Sequence, residues 1–439
     1  MNTVQKSQSI WLTATLCFIV MLGPMNAVLF NVALENISKD LAISTAEVSW
    51  IVVGYSLVVG VGSMIYGKLA DSFSLKKLLI ISIYLFILGS ITGFIFQSFI
   101  AIVLSRLLQA SGGAAFIALS MVTVARIYNL EDRPRVLAML SSSIALAIGI
   151  GPLVGGAITN SLGWPFLFIF MTISAIGILL LKRFMPTETI IKNKALTFDF
   201  IGALLLFLMV ASLLLGISFN LWFFVATFVL FILFKHRINQ TAFPIIDIEL
   251  FENSPYLRLI TIGFIMNVAL CANLLLIPLL LSHEYSFSPF TIGGLMFIAS
   301  IFGIFSSFFT GNIISRLGNI KVIHIATLAM ILGFVILGLF PGQNIVINLI
   351  AMILIFMGYS SIQVALNNFI PKMLNPIKIG VGLGLYNLTN FVGMAFGPAL
   401  ASKIIEVTNN LSYVFLLMAI FLVGHFLLTF HFPVSQNKD

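Results

Sequence analysis

Apolar stretches of about 20 residues recur along the whole 439-residue chain, and that is the length a helix needs to cross a bilayer. In lipid, only helices satisfy all their own backbone groups along such runs. Charged residues make up 8% of the sequence, whereas a soluble domain carries about 25%. The sequence therefore predicts an all-α polytopic membrane protein. We place fourteen transmembrane helices at 10–34, 46–67, 78–97, 99–126, 136–160, 163–181, 200–218, 220–235, 258–281, 290–314, 322–340, 343–369, 379–402 and 411–431.

Lysine and arginine are distributed unevenly between the predicted loops. With the N-terminus inside, nineteen of these residues are cytoplasmic, and Lys39 and Lys403 are the two that face outward. Such a bias sets the orientation of membrane proteins. We therefore expect both termini in the cytoplasm. The net charge of +8 is then explained by the excess of basic residues in the cytoplasmic loops. We therefore expect the protein to associate with the lipid bilayer and not with nucleic acid.

The sequence lacks the signatures of enzymes and metal sites. Cys17 and Cys271 both lie mid-span, which suggests neither a disulfide framework nor a metal cluster. A phosphate-binding loop, a nucleophile elbow and paired catalytic carboxylates are also missing from the sequence. We expect no enzymatic activity and no bound cofactor or metal.

Two motifs occur twice at nearly the same spacing. "GKLADSFSLKK" (67–77) returns as "GNIISRLGNIK" (311–321) after 244 residues, and "GIGPLVGG" (149–156) has an echo in "MAFGPALA" (394–401) at an offset of 246. Spans 1–6 and 9–14 thus look like two copies of one six-helix unit in the same orientation, as in transporters that rock one half against the other. We predict a six-helix bundle at 1–185, a linker at 186–199, a two-helix insert at 200–236, a second linker at 237–256 and a second six-helix bundle at 257–439.

Glycine and proline crowd into the fifth span, although they destabilise a helix interior in water by about 1 and about 3 kcal/mol. In a membrane, small residues let helix backbones approach closely, and proline permits a bend. Ordinary helix packing is the alternative explanation. We interpret the stretch and its repeat as a bend and close seam between the halves, formed by Gly151, Pro152, Gly155, Gly156, Gly397 and Pro398.

Several of these motifs resemble those of the major facilitator superfamily, in particular its 14-spanner drug:proton antiporter branch. The segment 67–77 resembles the superfamily's loop motif after the second helix, and "LSRLLQASGGAA" (104–115) resembles its fourth-helix motif. "GPLVGG" (151–156) resembles the fifth-helix motif associated with antiporters, and "LFNVALENI" (29–37) is similar to the branch's first-helix signature. The resemblance covers essentially the whole chain.

The chain departs from this branch at positions where proton sites are usual. Asn26 stands where many relatives have an acid, and Glu35 stands where they have proline. The thirteenth helix also lacks the acid found in tetracycline exporters of this type.

A second group of candidates lies in the loop after the second span. Lysines there are expected from topology alone, but acids contribute little to orientation, so Asp71 needs another explanation. A carboxylate beside helix N-termini and basic groups can latch one side of a transporter shut. The candidates for this gate are Gly67, Asp71, Lys76 and Lys77.

Arg106 lies about two turns inside the fourth span, where an unpaired charge is costly. Such a residue should face a bundle interior or a wet cavity and have a partner. Glu35, at the outer end of span 1, is the acid nearest in depth. We therefore predict that Glu35 and Arg106 form the proton-coupling pair, although Glu35 also fits a polar outer loop with Lys39 and Asp40.

Amide side chains collect on the helices that would line a central cavity. With 13% aromatic residues and 17 methionines, they suit a large, adaptable and mostly apolar pocket. Interhelical hydrogen bonding is the alternative role of each. The candidates are Asn26, Asn31, Gln109, Asn267, Asn273, Gln363, Asn367, Asn387 and Asn390.

The resemblance implies a monomeric antiporter of the bacterial plasma membrane that exports amphipathic, often cationic drugs and dyes by alternating access. Fluoroquinolones, ethidium, acriflavine and tetracyclines are the classes it suggests, with protons as the coupling ion. An exporter of an endogenous lipid or metabolite is a second hypothesis that the sequence does not separate from the first. A membrane scaffold or sensor without a transport cycle is a third, disfavoured by the repeated hinge and gate motifs.

Overall fold

The computed structural model describes residues 3–70, 73–129, 132–186, 199–218, 220–241, 250, 252–374 and 379–430. Within these ranges the secondary structure is helical, with short turns and short 3₁₀ segments. The α-helices are α1 (Thr3–Leu29), α2 (Leu34–Leu41), α3 (Thr45–Leu69), α4 (Leu75–Ile95), α5 (Phe99–Ile127), α6 (Arg133–Ser161), α7 (Phe166–Met171), α8 (Ala175–Phe184), α9 (Phe200–Ser218), α10 (Trp222–Gln240), α11 (Ser254–Tyr285), α12 (Pro289–Leu317), α13 (Asn319–Leu339), α14 (Ile345–Phe369), α15 (Ile379–Thr408) and α16 (Leu411–Thr429).

The fourteen predicted spans are all present as helices long and apolar enough to cross a membrane. The first span, Ile10–Leu41, consists of α1 and α2 joined by a 3₁₀ turn at Asn31–Ala33. The sixth, Phe166–Phe184, consists of α7 and α8 joined in the same way at Thr172–Ser174. The predicted all-α polytopic fold is therefore confirmed.

Polar residues at the turns fix where several helices begin. Asn253 accepts a hydrogen bond from the backbone of Tyr256 at the start of α11, and Ser288 accepts one from Thr291 at the start of α12. Asn410 does the same at the start of α16. These side chains satisfy N–H groups that have no partner within the helix itself. Short polar turns thus separate the long apolar helices.

The two halves of the chain repeat one pattern of helix packing. In the first half α1 packs on α6, and α5 packs on both α3 and α4. In the second half α11 packs on α15, and α14 packs on both α12 and α13. Each pair in the second half is the counterpart of a pair in the first. The molecule therefore consists of two parallel six-helix bundles with a two-helix insert between them in the sequence.

The bundles meet along two seams, α6 with α12 and α3 with α15. In the α6–α12 seam, a Cβ added at Gly156 would overlap the carbonyl oxygen of Pro289, so the backbones touch there. In the α3–α15 seam, Ser402 Oγ donates a hydrogen bond to Ser49 Oγ at 3.1 Å. Nearer the middle of this seam, a Cβ at Gly60 would lie 2.7 Å from Phe391 Cβ. Small residues therefore permit the close approach of the halves, as expected in lipid.

The two ends of the bundle differ. The contacts through Gly156 and Ser49 lie at one end, called here the closed end. The opposite end, called the basic end, carries Lys76 and the charged ends of α5 and α8. At the basic end, a Cβ added at Gly67 or Gly311 would meet no described atom within 4 Å outside its own helix backbone and chain neighbours. If the basic end is cytoplasmic, as the charge bias predicts, the contacts through Gly156 and Ser49 lie on the outer side.

The insert lies over one of the two seams. Helix α9 packs on α10 and also on both α3 and α15, whereas α10 is largely exposed. Asp199 Oδ1 accepts hydrogen bonds from the backbone of Gly202 and from Arg237 Nε, both at 2.9 Å. These contacts join the start of α9 to the end of α10. The insert is thus a hairpin with its own ion pair, and its exposed apolar face suits contact with lipid.

Candidate functional site

Arg106 of α5 is fully buried and joins three helices. Its Nε donates to the carbonyl oxygen of Ile51 on α3 at 3.0 Å, and its Nη2 donates to that of Asn26 on α1 at 3.1 Å. Its Nη1 donates to Gln109 Oε1 at 3.0 Å. All three acceptors are neutral oxygens. The side chain is therefore held by hydrogen bonds without a carboxylate.

Two aromatic rings enclose the guanidinium group. Its central carbon lies 4.3 Å from the ring centre of Phe30 and 4.2 Å from that of Tyr55. The faces of aromatic rings carry partial negative charge and attract cations at such distances. Tyr55 is itself fixed, because its hydroxyl donates to the carbonyl oxygen of Gly23 at 3.1 Å. The rings thus complete a rigid pocket around Arg106.

The predicted pairing of Glu35 with Arg106 is not formed in this structure. Glu35 forms an ion pair with Lys39 at the closed end, and Ser282 and His283 of α11 lie beside its carboxylate. The reason is distance along the helix: nine residues separate Glu35 from Asn26, or about 13 Å at 1.5 Å per residue. Glu35 therefore lies at the junction of the two halves and not at the Arg106 pocket.

Two predicted amide residues complete the Arg106 pocket. Gln109 connects Arg106 to Ser90, because its Nε2 donates to Ser90 Oγ at 2.8 Å. Asn26 Nδ2 is 3.4 Å from Gln109 Oε1, whereas the buried Asn26 Oδ1 has no hydrogen-bond partner among the described residues. The pocket thus contains an unused acceptor next to a buried cation.

A second polar group lies in the other half, on α11, α14 and α15. Tyr359 Oη is 3.4 Å from Asn267 Oδ1, and Tyr386 Oη is 3.4 Å from Gln363 Oε1. These contacts are longer than ordinary hydrogen bonds. Asn390, also predicted, faces Gly263 beside Tyr386. The polar group of the second half therefore consists of uncharged amides and phenols, whereas that of the first half contains the charged Arg106.

Phe391 connects the two groups. It packs against Tyr55, Val59 and Ala110 of the first half, and it follows Asn390 in the sequence. Tyr55 in turn contacts Arg106. The Arg106 pocket is therefore one aromatic ring away from the central junction of the two bundles.

The remaining predicted cavity residues fall outside these two groups. Asn31 and Asn273 are buried, and the Oδ1 of Asn31 and both amide atoms of Asn273 have no partner among the described residues. Asn367 and Asn387 are exposed. Five of the nine predicted amides thus belong to these two polar groups, two in the first half and three in the second, and the other four lie elsewhere.

The predicted gate residues are only partly described. Asp71 lies outside the described residues. Lys76 Nζ donates to the carbonyl oxygens of Met185 at 2.6 Å and Lys182 at 3.1 Å, at the end of α8. A lysine at a helix C-terminus is favoured by the helix dipole. Lys76 therefore joins α4 to α8 within one half, and Lys77 is exposed.

The predicted hinge residues lie where the backbones of different helices touch. Added Cβ atoms at Gly151 and Gly155 would overlap Val28 and the carbonyl oxygen of Leu29 on the first span. Gly156 faces α12, and Gly397 faces the carbonyl oxygen of Val268 on α11. Pro152 and Pro398 lie inside helices α6 and α15. These residues are therefore placed at close contacts of helix backbones, and their part in switching remains a prediction.

Two cavities lie away from both polar groups. One, of about 420 Å³, separates the two insert helices and is lined by residues such as Met209 and Phe228. The other, of about 480 Å³, lies at the closed end beside His283 and Glu284. Among the described residues, no group of three or more His, Cys, Asp and Glu side chains is arranged to hold a metal ion.

Sequence reasoning missed the aromatic partners of the site. Phe30 and Tyr55 enclose Arg106, and Tyr359 and Tyr386 accompany the amides of the second half. Tyrosine in the middle of an apolar span was the available signal, since a buried phenol needs a hydrogen-bond partner.

Two parallel six-helix bundles that meet along two seams have the architecture of a membrane transporter. The family model described as Major Facilitator Superfamily matches residues 16–398, and the chain belongs to that family. It is 25% identical to the multidrug efflux pump SdrM of Staphylococcus aureus (strain N315) over 99% of each chain. It is 24% identical to the riboflavin transporter RibZ of Clostridioides difficile (strain 630), over 88% of this chain and 86% of that one.

A solved structure shows the same fold. The nucleoside transporter NupG superposes with a TM-score of 0.71 at 16% identity, over 95% of this chain and 99% of that one. The protein is thus a multi-pass membrane transporter of the Major Facilitator Superfamily.

Proposed function

We propose that the protein is a proton-coupled antiporter that exports amphipathic drugs and dyes across the bacterial plasma membrane by alternating access. The observation that carries the proposal is the contact of the halves at the closed end through Gly156 and Ser49, an end that the proposed cycle alternately closes and opens. Rocking of the halves about the central junction would exchange these states. The similarity to a multidrug efflux pump supports drugs and dyes as substrates.

A second candidate function is export of a metabolite with an aromatic ring system. The similarity to a riboflavin transporter favours it, as do the amides and phenols of the second half. Uptake of a dye panel and of riboflavin into inverted vesicles, with and without a pH gradient, separates the two candidates. Drug export is the better-supported reading if several unrelated dyes accumulate and riboflavin does not.

The proposed orientation places the basic end and both termini in the cytoplasm. In a background without Cys17 and Cys271, cysteine at position 407 should react with an impermeant maleimide added to intact cells. Cysteine at position 77 should react only in inverted vesicles. Val407 and Lys77 are both exposed at opposite ends of the bundle, so accessibility reports the side of the membrane. Labelling of both sites in intact cells would contradict the orientation.

Glu35 is the proposed proton carrier because it lies where the halves separate. Its carboxylate pairs with Lys39 while Ser282 and His283 cover it, and opening of the closed end would expose it to water. We expect Glu35→Gln to abolish efflux driven by a pH gradient and to leave dye binding within about twofold, since Glu35 lies about 13 Å along the first span from Asn26 of the Arg106 pocket.

Glu406→Gln is the matched control for this prediction. Glu406 also pairs with a lysine, Lys403, at the closed end, but it is exposed and this ion pair lies within α15. The control should keep proton-driven efflux. Wild-type proton-driven efflux in Glu35→Gln would move the proton site elsewhere.

A further inference from the structure

The positive charge of Arg106 lacks an acidic counter-charge among the described residues. Its three hydrogen bonds end on two carbonyl oxygens and an amide oxygen. The ion pairs between described residues lie elsewhere, in the pairs Glu35–Lys39, Asp199–Arg237 and Glu406–Lys403. Carbonyl dipoles and ring faces stabilise the guanidinium group, but they do not cancel its net charge.

The sequence supplies no acid to the middle of any span. Each of the fourteen Asp and Glu residues lies outside the predicted spans or within the first turn of one. The repeat offset places uncharged residues, Ile350 to Met352, at the position of Arg106 in the second half. The first half therefore carries a buried positive charge, and the spans of the second half supply no negative charge to balance it.

An unbalanced charge acts over a long distance in this environment. Low dielectric and the absence of mobile ions weaken screening inside a protein. Tyr55 contacts both Arg106 and the Phe391 cluster, so a ligand at the central junction lies one ring away from the charge. The charge of Arg106 therefore makes a positive contribution to the potential at that junction.

We propose that this buried charge makes the transporter prefer amphipathic aromatic molecules bearing a carboxylate or another anionic group, and disfavour permanent cations. The proposal rests on the proposed function and narrows its substrate class. Among the drug classes considered above, the carboxylate-bearing fluoroquinolones fit, whereas ethidium and acriflavine do not. The uncharged tyrosines and amides of the second half suit the ring system of such a molecule, because they stack and form hydrogen bonds without adding charge.

Two xanthene dyes with similar ring systems and opposite charge provide the test. Fluorescein is anionic at neutral pH, and tetramethylrhodamine methyl ester is a permanent cation. Binding to the purified full-length protein is measured by fluorescence anisotropy at low and high salt. We expect fluorescein to bind at least about tenfold more tightly, a ratio that corresponds to about 1.4 kcal/mol. Equal binding, or tighter binding of the cation, overturns the proposal.

Variants that add a carboxylate beside Arg106 test whether its positive charge causes the preference for anions. Asn26→Asp uses the position whose Oδ1 is free, and Gln109→Glu uses the oxygen already bonded to Arg106. Each should lower the anion-to-cation binding ratio by about tenfold. The two variants change different residues, so if one of them does not fold, the other still tests the proposal.

Asn220→Asp is the control. It adds the same charge at the exposed turn of the insert, where an aspartate can still cap the backbone of Trp222. Its binding ratio should equal that of the wild type. An unchanged ratio in both pocket variants would assign the selectivity to another feature and overturn the proposal. Binding requires neither a gradient nor a transport cycle, so this result is independent of whether proton-driven export is observed.

Discussion

A disulfide between cysteines at positions 49 and 402 is expected to stop transport almost completely. The two serine Oγ atoms are 3.1 Å apart across the α3–α15 seam, so sulfur atoms at these positions can reach bonding distance with small movements. Alternating access requires the halves to separate at this end. Oxidation of Ser49→Cys/Ser402→Cys in a background without Cys17 and Cys271 should abolish dye efflux, and a reductant should restore it.

Dye binding supplies a second readout for the cross-linked protein. The cross-link does not constrain the basic end, so the oxidised protein should bind dye about as well as the reduced one. Each single cysteine variant is a control that cannot cross-link within the molecule. Efflux at the wild-type rate after complete cross-linking would show that the halves do not separate at Ser49 and Ser402.

Replacing Arg106 with alanine should have the second largest effect, on both stability and binding. The change removes three hydrogen bonds and the cation between two rings, and it leaves the carbonyl oxygens of Asn26 and Ile51 short of a buried donor. A buried group left without its partner costs about 1–3 kcal/mol, so the total is on the order of 3 kcal/mol or more. The thermal unfolding midpoint of the purified protein should fall, and dye efflux should be lost.

Arg106→Lys distinguishes charge from geometry. Lysine keeps the charge, but its single ammonium group lacks the planar fork that reaches two carbonyl oxygens at once. We expect stability between those of the wild type and the alanine variant. Arg183→Ala, at an exposed arginine near the end of α8, is the control and should match the wild type. A wild-type unfolding midpoint in Arg106→Ala would contradict the role assigned to this side chain.

Much of the architecture follows from the sequence because lipid restricts the options. An apolar run of sufficient length has to be a helix, so the number and approximate positions of the fourteen spans were predictable. The parallel repeat was visible as two motifs at one offset. The first span shows the limit, since it was placed at 10–34 and extends to Leu41. Loop residues and helix ends share a composition, so hydropathy does not fix a boundary.

The candidate site was less predictable, for reasons visible at single residues. A mid-span arginine indicates a partner, but one-dimensional depth did not reveal that Lys39, one turn from Glu35, pairs with that carboxylate. Carbonyl oxygens also hold Arg106, and every residue has one, so they leave no trace in the sequence. Tyr55 was not distinguished from the aromatic residues that pack elsewhere. Three-dimensional contact was needed to choose between these partners.

The insert gives the molecule two unlike flanks in the bilayer. Helix α9 lies over the junction of α3 and α15, whereas the described residues of the insert form no comparable contact with the junction of α6 and α12. Lipid molecules can therefore reach one junction directly and meet the other only through α9. When the halves move, the apolar surface exposed to acyl chains changes at the α6–α12 junction. It changes less at the α3–α15 junction, because α9 covers it. Bilayer thickness and lipid composition should consequently affect the movement of the halves mainly through the α6–α12 junction.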